Sequence, residues 1–148
     1  MRILLLLLVI APIFSCKKKE YSQASAIVDF AKHYTINSRY DRAHSVLHVE
    51  VILDKAVHAY AEGEKIGRPV TLVINEQNGW QALGSPDMPK GTLKKLSGLG
   101  DSIILEDSFV ISQKLLPGKG AGTARLLLQV CSDNSCDQPR EHPLLFSE

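Results

Sequence analysis

One segment of the sequence alternates apolar and polar side chains with a period of two residues. Between residues 46 and 53, His48 and Glu50 stand between branched apolar residues. The apolar positions are Leu47, Val49, Val51 and Leu53. A period of two is the repeat of a β-strand, because successive side chains of a strand point to opposite faces. The segment therefore predicts an antiparallel strand with one buried face and one solvated face.

Three further segments predict strands of the same kind, namely residues 68–74, 107–116 and 123–131. In the last of them, one set of alternate residues is apolar, and Cys131 is expected at the strand end, off the main core face. Turn signals rich in Asn, Gly and Pro separate the segments, as at Asn75–Gly79. Short strands at this spacing predict an all-β fold, an antiparallel β-sandwich in a single domain.

The remaining segments give weaker signals. Ser25–His33 has the length of two helical turns, but its β-branched content favours a strand. Gln81–Gly100 is expected to be a long crossover loop, with one short helical turn over Leu93–Leu99. The glycine-rich segment Pro117–Thr123 lacks the residue order of a phosphate-binding loop, so a hairpin loop is expected there. Trp80, the single tryptophan, is expected to fill the core or an edge of the sandwich.

The N-terminus has the pattern of an export signal. Arg2 precedes an apolar run that is too short for the roughly 20 residues needed to span a bilayer. Ile13 and Ser15 before Cys16 resemble a bacterial lipoprotein signal, so we expect cleavage after residue 15 and a lipid on Cys16. Residues 16–26 are then a tether and 27–148 the folded domain. The expected location is the periplasmic side of the bacterial cell envelope, with the protein attached to a membrane by its lipid.

Charge and histidine spacing argue against two classes of function. The chain has 17 Lys and Arg against 16 Asp and Glu, so no overall positive charge draws it to nucleic acid. Among the five histidines, His44 and His48 are four residues apart, but their segment alternates as a strand and not as the helix that a His-x-x-x-His metal site needs. Zinc-knuckle spacing is also absent, so no metal site is expected. We likewise expect no cofactor.

Once Cys16 carries lipid, the folded domain retains two cysteines, Cys131 and Cys136. Two cysteines so close together in an oxidising compartment are expected to form a disulfide. A short loop gains little chain-entropy stabilisation from such a bond, which favours a labile, redox-active disulfide. A structural clip in a non-enzymatic envelope lipoprotein or binding module remains the alternative, and copper or another metal held with a histidine is a third possibility. The sequence does not decide which cysteine a partner attacks.

Three motifs in this order resemble a known family. The motifs are Leu53-Asp54-Lys55-Ala56-Val57-His58-Ala59-Tyr60, then Gly67-Arg68-Pro69-Val70-Thr71-Leu72, then Val130-Cys131-Ser132-Asp133-Asn134-Ser135-Cys136-Asp137-Gln138-Pro139. Together they resemble the N-terminal periplasmic domain of the thiol:disulfide interchange protein DsbD, also called the disulfide-bond corrector DsbC-type domain. The resemblance covers about residues 27–146.

The resemblance implies an immunoglobulin-like β-sandwich whose cysteine pair relays reducing equivalents. Cys131 and Cys136 match the redox pair, and Tyr60 and His58 match the residues that line the site. The implied partners are thioredoxin-like periplasmic proteins or a separate membrane electron carrier. The family also has a cap loop over its disulfide, and here its place is expected within Gln81–Pro89, with Leu83 and Met88 covering Cys131 beside Tyr60. The alternative for these two side chains is that they fill the sandwich edge.

Overall fold

The structure is a computed structural model that describes residues 29–96 and 100–147. The predicted signal, Cys16 and the tether lie outside the described residues. A 3₁₀ turn, η1, is followed by ten strands. The elements are η1 (Phe30–Lys32), β1 (Tyr34–Asp41), β2 (Val46–Leu53), β3 (Ala59–Tyr60), β4 (Thr71–Asn75), β5 (Gln81–Ala82), β6 (Thr92–Leu96), β7 (Gly100–Leu105), β8 (Ser108–Leu116), β9 (Gly122–Leu128) and β10 (Arg140–Phe146). No helix in the described part of the chain is long and apolar enough to cross a membrane.

The strands form three sheets, and every strand pairing among the described residues is antiparallel. The first sheet has the order β1-β2-β8-β5, the second β10-β9-β4 and the third β3-β7-β6. Buried side chains of β2 and β8 share one core cluster with those of β4, β9 and β10. The first two sheets therefore face each other as a sandwich, and the predicted antiparallel β-sandwich is confirmed.

The alternation in β2 predicts its burial correctly. Leu47, Val49 and Val51 are 0% exposed. Both edges of β2 are paired, with β1 on one side and β8 on the other. The same holds for β9, where Ala124, Leu126 and Leu128 are buried and the strand lies between β10 and β4. Each of these strands lies inside its sheet and presents one apolar face to the shared core.

Trp80 fills the core as expected, since its side chain is 0% exposed. Its rings pack edge-on against Tyr40 and Phe146, with ring centroids 5.1 and 5.0 Å away. Its Nε1–H donates a hydrogen bond to the carbonyl oxygen of Gly120 at 3.2 Å. A Cβ at Gly118 would lie 2.5 Å from the Trp80 backbone nitrogen, so the close approach of these two segments needs a glycine.

The segment Pro117–Thr123 is not a hairpin loop. It leads from β8 to β9, which belong to different sheets, so it crosses from one face of the sandwich to the other. The glycines signal a turn correctly, but a turn does not specify which sheet the next strand joins.

The predicted strand over Ser25–His33 is also wrong in its described part. Residues 30–32 form the 3₁₀ turn, and the strand begins only at Tyr34. Tyr34 pairs with Leu53, the last residue of β2, and in the described part of the chain no strand pairs with the residues that precede Tyr34. The Asp54 N–H instead bonds the carbonyl oxygen of His33. Residues 25–28 lie outside the described residues.

Gln81–Gly100 is not a loop throughout, because it contains β5 and β6. The predicted helical turn at Leu93 falls in β6, which pairs with β7 from Thr92 to Leu96. Pairing with a neighbouring strand therefore overrides the local helical signal. Residues 97–99 lie outside the described residues.

Glu64 fixes the turn that follows β3. Its carboxylate accepts hydrogen bonds from the backbone N–H groups of Lys65, Ile66 and Ile103. Burial acts to raise the pKa of Glu64. The backbone N–H groups, led by those of Ile66 and Ile103, lower the pKa by more than burial raises it, so the pKa is lowered overall. The ionised carboxylate therefore ties the turn to β7.

Replacing Glu64 by Gln should lower the free energy of unfolding at neutral pH by about 1 kcal/mol, because a neutral amide is a weaker acceptor. A lowered pKa in the folded protein means that the stabilisation is complete above the unfolded pKa and is lost as pH falls through the folded pKa. The difference between wild type and Glu64→Gln should therefore shrink in acid. Urea unfolding over a pH series measures this difference in the free energy of unfolding.

Glu62→Gln is the matched control, because Glu62 is exposed and two residues away. It should leave stability nearly unchanged. Equal stability of wild type and Glu64→Gln at neutral pH, or a gap that widens in acid, would contradict the assignment.

Candidate functional site

Three backbone segments lie side by side at the cysteine pair. Cys131 forms one antiparallel bridge to His58 and another to Cys136. His58 and Cys131 exchange both backbone hydrogen bonds, at 2.8 and 2.9 Å. Residues directly opposite each other in an antiparallel pair point to the same face. The side chains of His58, Cys131 and Cys136 therefore lie in a row on one face.

The pairing of the two cysteines brings their side chains close. The hydrogen bonds on this side flank the pair, from Ser132 N–H to the Ser135 carbonyl and from Asp137 N–H to the Val130 carbonyl. This is the non-hydrogen-bonded position of an antiparallel pair, where the Cα atoms approach most closely. The Cα atoms of Cys131 and Cys136 are 4.0 Å apart, and their sulfur atoms are bonded at 2.12 Å.

The loop between the cysteines is a compact turn. The Ser132 hydroxyl oxygen accepts hydrogen bonds from the backbone N–H groups of Asn134 and Ser135. A serine that bonds the backbone two and three residues ahead stabilises a turn. Beyond the loop, the Asp137 carboxylate accepts a 2.6 Å bond from Arg140 Nε at the start of β10. The turn is therefore held at both ends.

The two halves of the disulfide differ in exposure. Cys131 is 0% exposed, whereas Cys136 is exposed. Cys131 lies in a small cluster of its own with Tyr60, Leu96 and Ile104, separate from the main core. This agrees with the sequence-based expectation that Cys131 leaves the main core face. A thiol reagent or protein partner can approach the site from the side of Cys136.

Tyr60 packs beneath the disulfide, and its hydroxyl oxygen lies 3.7 Å from Cys136 Sγ. The side chain is 1% exposed. Burial, and then the negative charge of Glu64, raise the pKa of the Tyr60 hydroxyl, so it stays protonated at neutral pH. The hydroxyl is therefore positioned as a hydrogen-bond donor toward Cys136.

His58 is buried beside Tyr60, with 4% exposure and a ring centroid 5.4 Å from that of Tyr60. Within the described residues, its Nε2 has no hydrogen-bond partner. Burial lowers the pKa of His58, because it disfavours the charged imidazolium. The structure thus brings together Cys131, Cys136, Tyr60 and His58, the four site residues of the folded domain that the sequence singles out.

Sequence reasoning missed the third sheet as part of the site. β6 and β7 contribute Leu96 and Ile104 to the Cys131 cluster. They also carry Lys94, whose Nζ lies 2.6 Å from the carboxylate of Glu106, just after β7. The available signal was the short apolar run Ile103-Ile104-Leu105, but Gly98 and Gly100 made the region look like a loop.

The segment Gln81–Pro89 does not form the predicted cap over Cys131. The Leu83 N–H bonds the Lys114 carbonyl and Asp87 pairs with Ser112, so this segment runs along β8. Leu83 is 51% exposed, and Met88 packs against the main core. Neither belongs to the Cys131 cluster, which leaves the alternative of edge packing for Met88.

No group of three or more His, Cys, Asp or Glu side chains within residues 29–96 and 100–147 is arranged to hold a metal ion. The arrangement around the disulfide consists of two sulfur atoms, one phenol and one imidazole. Its chemistry is that of a thiol pair with adjacent proton-carrying groups.

A comparison with protein families and curated proteins finds no match. Solved structures do resemble the chain. The DsbD N-terminal domain of Neisseria meningitidis in the reduced form has a TM-score of 0.63 and 14% identity, covering 86% of this chain and 94% of that one. The complex between the DsbD and PilB N-terminal domains of that bacterium gives a TM-score of 0.61 and 12% identity, covering 82% and 88%.

A third similar structure is the N-terminal periplasmic domain of ScsB from Proteus mirabilis, with a TM-score of 0.55 and 16% identity. The match covers 76% of this chain and 45% of that one. At such identities the likeness shows the fold. The predicted all-β, immunoglobulin-like antiparallel sandwich is confirmed, and it is the fold of the DsbD N-terminal domain.

Gly67→Ala should displace the ring of Tyr60 and destabilise the fold by about 1–3 kcal/mol, the cost of an overpacked core. A Cβ at Gly67 would lie 1.8 Å from Tyr60 Cε2. The rate at which a small reagent alkylates the reduced thiols should rise, because Tyr60 no longer packs beneath Cys136. Urea unfolding and alkylation kinetics measure the two effects.

A double-mutant cycle with Tyr60→Ala provides the control. Once the ring is gone, Gly67→Ala should cost little. If the two substitutions add independently, Gly67 does not act through Tyr60.

Proposed function

We propose that the protein is a thiol:disulfide exchange domain that relays reducing equivalents through Cys131 and Cys136. The supporting observation is the unequal exposure of the two cysteines, with Cys131 buried and Cys136 exposed. A disulfide that only stabilises the loop needs no accessible sulfur. A disulfide that takes part in exchange needs one sulfur that a partner thiolate can attack and a second sulfur that leaves.

The exchange follows from this asymmetry. A partner thiolate attacks Cys136 Sγ and forms a mixed disulfide, while the Cys131–Cys136 bond breaks and its electron pair leaves on Cys131 as a thiolate. A second partner thiolate then releases the dithiol domain. In the reverse direction, Cys136 attacks a partner disulfide and Cys131 displaces the reduced partner. Two electrons move in each cycle, and no metal or organic cofactor takes part.

The position of the cysteines also favours exchange over a purely structural role. They are only five positions apart in the sequence. In the chain-entropy account, a closed loop this short gains less stabilisation than a long-range bond. The backbone hydrogen bonds on either side of the pair already hold the turn.

The partners we propose are thioredoxin-like periplasmic proteins or a separate membrane electron carrier. The known complex between the DsbD and PilB N-terminal domains supports a protein partner for this fold. The similar ScsB domain is periplasmic, which supports the same compartment here. We place the domain, residues 27–148, on the periplasmic side of the envelope, held there through a lipid on Cys16 and the tether 16–26.

Cys131→Ser should capture a thioredoxin-like protein as a stable mixed disulfide, because it leaves the exposed Cys136 without its resolving partner. Cys136→Ser leaves only the buried Cys131 and should capture at least about tenfold less. The probe is a thioredoxin that retains only its attacking cysteine, activated as an aromatic mixed disulfide. Non-reducing gels and mass spectrometry measure the product.

Equal capture by the two variants would contradict the assignment of Cys136 as the attacked sulfur. Absence of capture by both, with a reduction potential far below about −300 mV, would support a structural loop disulfide instead.

Cys16→Ser should abolish lipid attachment and release the protein from the membrane fraction, since the proposed lipid is bonded to that thiol. Membrane fractionation and the mass of the mature protein measure this. Cys136→Ser is the control and should remain in the membrane fraction. The lipid anchor would be ruled out if the Cys16→Ser protein stayed in the membrane fraction and differed in mass from the wild type only by the substituted side chain.

A further inference from the structure

Among the described residues, two buried side-chain atoms lack a hydrogen-bond partner, His58 Nε2 and Ser102 Oγ. A buried polar atom without a partner costs free energy and calls for an explanation. Both side chains lie on one face of the third sheet. Tyr60 pairs with Ile104, so these two side chains share a face. His58 lies two residues before Tyr60 and Ser102 two residues before Ile104, and side chains two residues apart on a strand point to the same face. This is the face that packs against Cys131.

His58 lies directly opposite Cys131. The two residues exchange both of their backbone hydrogen bonds, so their side chains leave the backbone on the same face, with Cα atoms about 5.5 Å apart in such a pair. Tyr60, in contrast, directs its hydroxyl at Cys136 Sγ. The phenol thus neighbours the exposed sulfur, and the imidazole leaves the backbone on the same face as the buried one.

In the disulfide state, Cys131 has no proton to donate, and His58 Nε2 is unpartnered. Reduction places a thiol proton on Cys131. A buried thiol resists ionisation, yet it must lose its proton before its sulfur can attack. The dithiol state therefore creates both a donor for the unpartnered nitrogen and a need for a base.

We propose that His58 Nε2 is the general base for the Cys131 thiol in the resolving step. The proposal rests on the exchange function proposed above. In this step the Cys131 S–H proton passes to Nε2, and the sulfur forms a bond to Cys136 Sγ. The bond between Cys136 and the partner breaks, and its electron pair leaves on the partner as a thiolate. The imidazolium then releases the proton to water. In the opposite direction, the same imidazolium protonates the departing Cys131 sulfur.

The surroundings keep the imidazole available as a base. Burial lowers the pKa of His58, so the ring stays neutral to a lower pH than an exposed histidine. Asp133 of the cysteine loop and Glu106 after β7 act in the opposite direction, and Lys94 of β6 acts with burial. Tyr60, the titratable group of β3 that packs against the ring, has a raised pKa and is uncharged at neutral pH.

The test uses the reduced domain and an aromatic disulfide, dithiobis(nitrobenzoic acid), whose released thiolate absorbs visible light. Attack by Cys136 releases the first thiolate, and resolution by Cys131 releases the second. In wild type, the second phase should be nearly constant at neutral pH and should decline in acid as His58 becomes protonated. In His58→Phe, the second phase should slow at least about 100-fold at neutral pH, the lower end of the range for general acid–base catalysis. It should then increase with pH toward the ionisation of the thiol, near or above about 8.5.

Two further variants separate chemistry from folding. His58→Gln retains a polar side chain that does not titrate, and its second phase should follow the pH profile of His58→Phe, rising toward the ionisation of the thiol. His142→Phe is the matched control, because His142 is a partly buried histidine of β10 whose Nε2 lies 3.3 Å from the Tyr34 hydroxyl, and burial lowers its pKa as well. It should leave both phases unchanged. The first phase should be similar in all variants.

The outcomes distinguish this inference from the function on which it rests. If His58→Phe and His58→Gln keep the wild-type second phase and its pH profile, His58 is not the base, and the exchange function stands. If both phases slow equally, the substitution acts on the fold or on access to the site, and the proposal fails. If the wild-type dithiol releases no thiolate at any pH, the cysteine pair is not exchange-competent and the proposed function fails.

Discussion

The pair of hydrogen bonds between the backbones of His58 and Cys131 joins the third sheet to the second sheet at the cysteine pair. On one side is the chain entering β3 of the small third sheet, and on the other is the chain leaving β9 of the second sheet. Because the bond pattern alternates across an antiparallel ladder, the same bridge sets Cys131 in the close-approach position toward Cys136. It also puts the imidazole on the face of the two sulfurs. The close approach of the two cysteines and the position of His58 beside them follow from this register.

The sandwich was largely predictable from the sequence because its central strands alternate strongly. β2 and β9 are paired on both edges and bury every second side chain, so local pattern and tertiary environment agree. The third sheet was missed for the opposite reason. β6 buries only Leu96 among its five residues, and β3 is two residues long, so neither shows a period. Their pairing is decided by β7, which the sequence interrupts with glycine on its N-terminal side.

The site residues illustrate the same division. Cysteine spacing and the order of three motifs identified Cys131, Cys136, Tyr60 and His58, but spacing carries no information on burial. The distinction between a buried and an exposed sulfur arises from packing by Leu96 and Ile104, which come from β6 and β7. The prediction that Leu83 and Met88 cover Cys131 was wrong because it, too, took no account of how the chain packs. Leu83 and Met88 were chosen for size, whereas the backbone of their segment is held to β8 by its own hydrogen bonds.

The short separation of the two cysteines has a consequence for biogenesis. After residue 16 the sequence contains no cysteine besides Cys131 and Cys136, and these are five residues apart. In the proposed lipoprotein, where Cys16 carries lipid, the domain therefore has one intramolecular pairing open to it, and this pairing can form while the chain is still unfolded. Tyr60 and His58 reach the sulfurs only from more than 70 residues away, once the sheets have assembled. Oxidation can thus precede folding without trapping a wrong connectivity, and the cysteine pair acquires the buried neighbours of the candidate site only in a chain that has completed its fold.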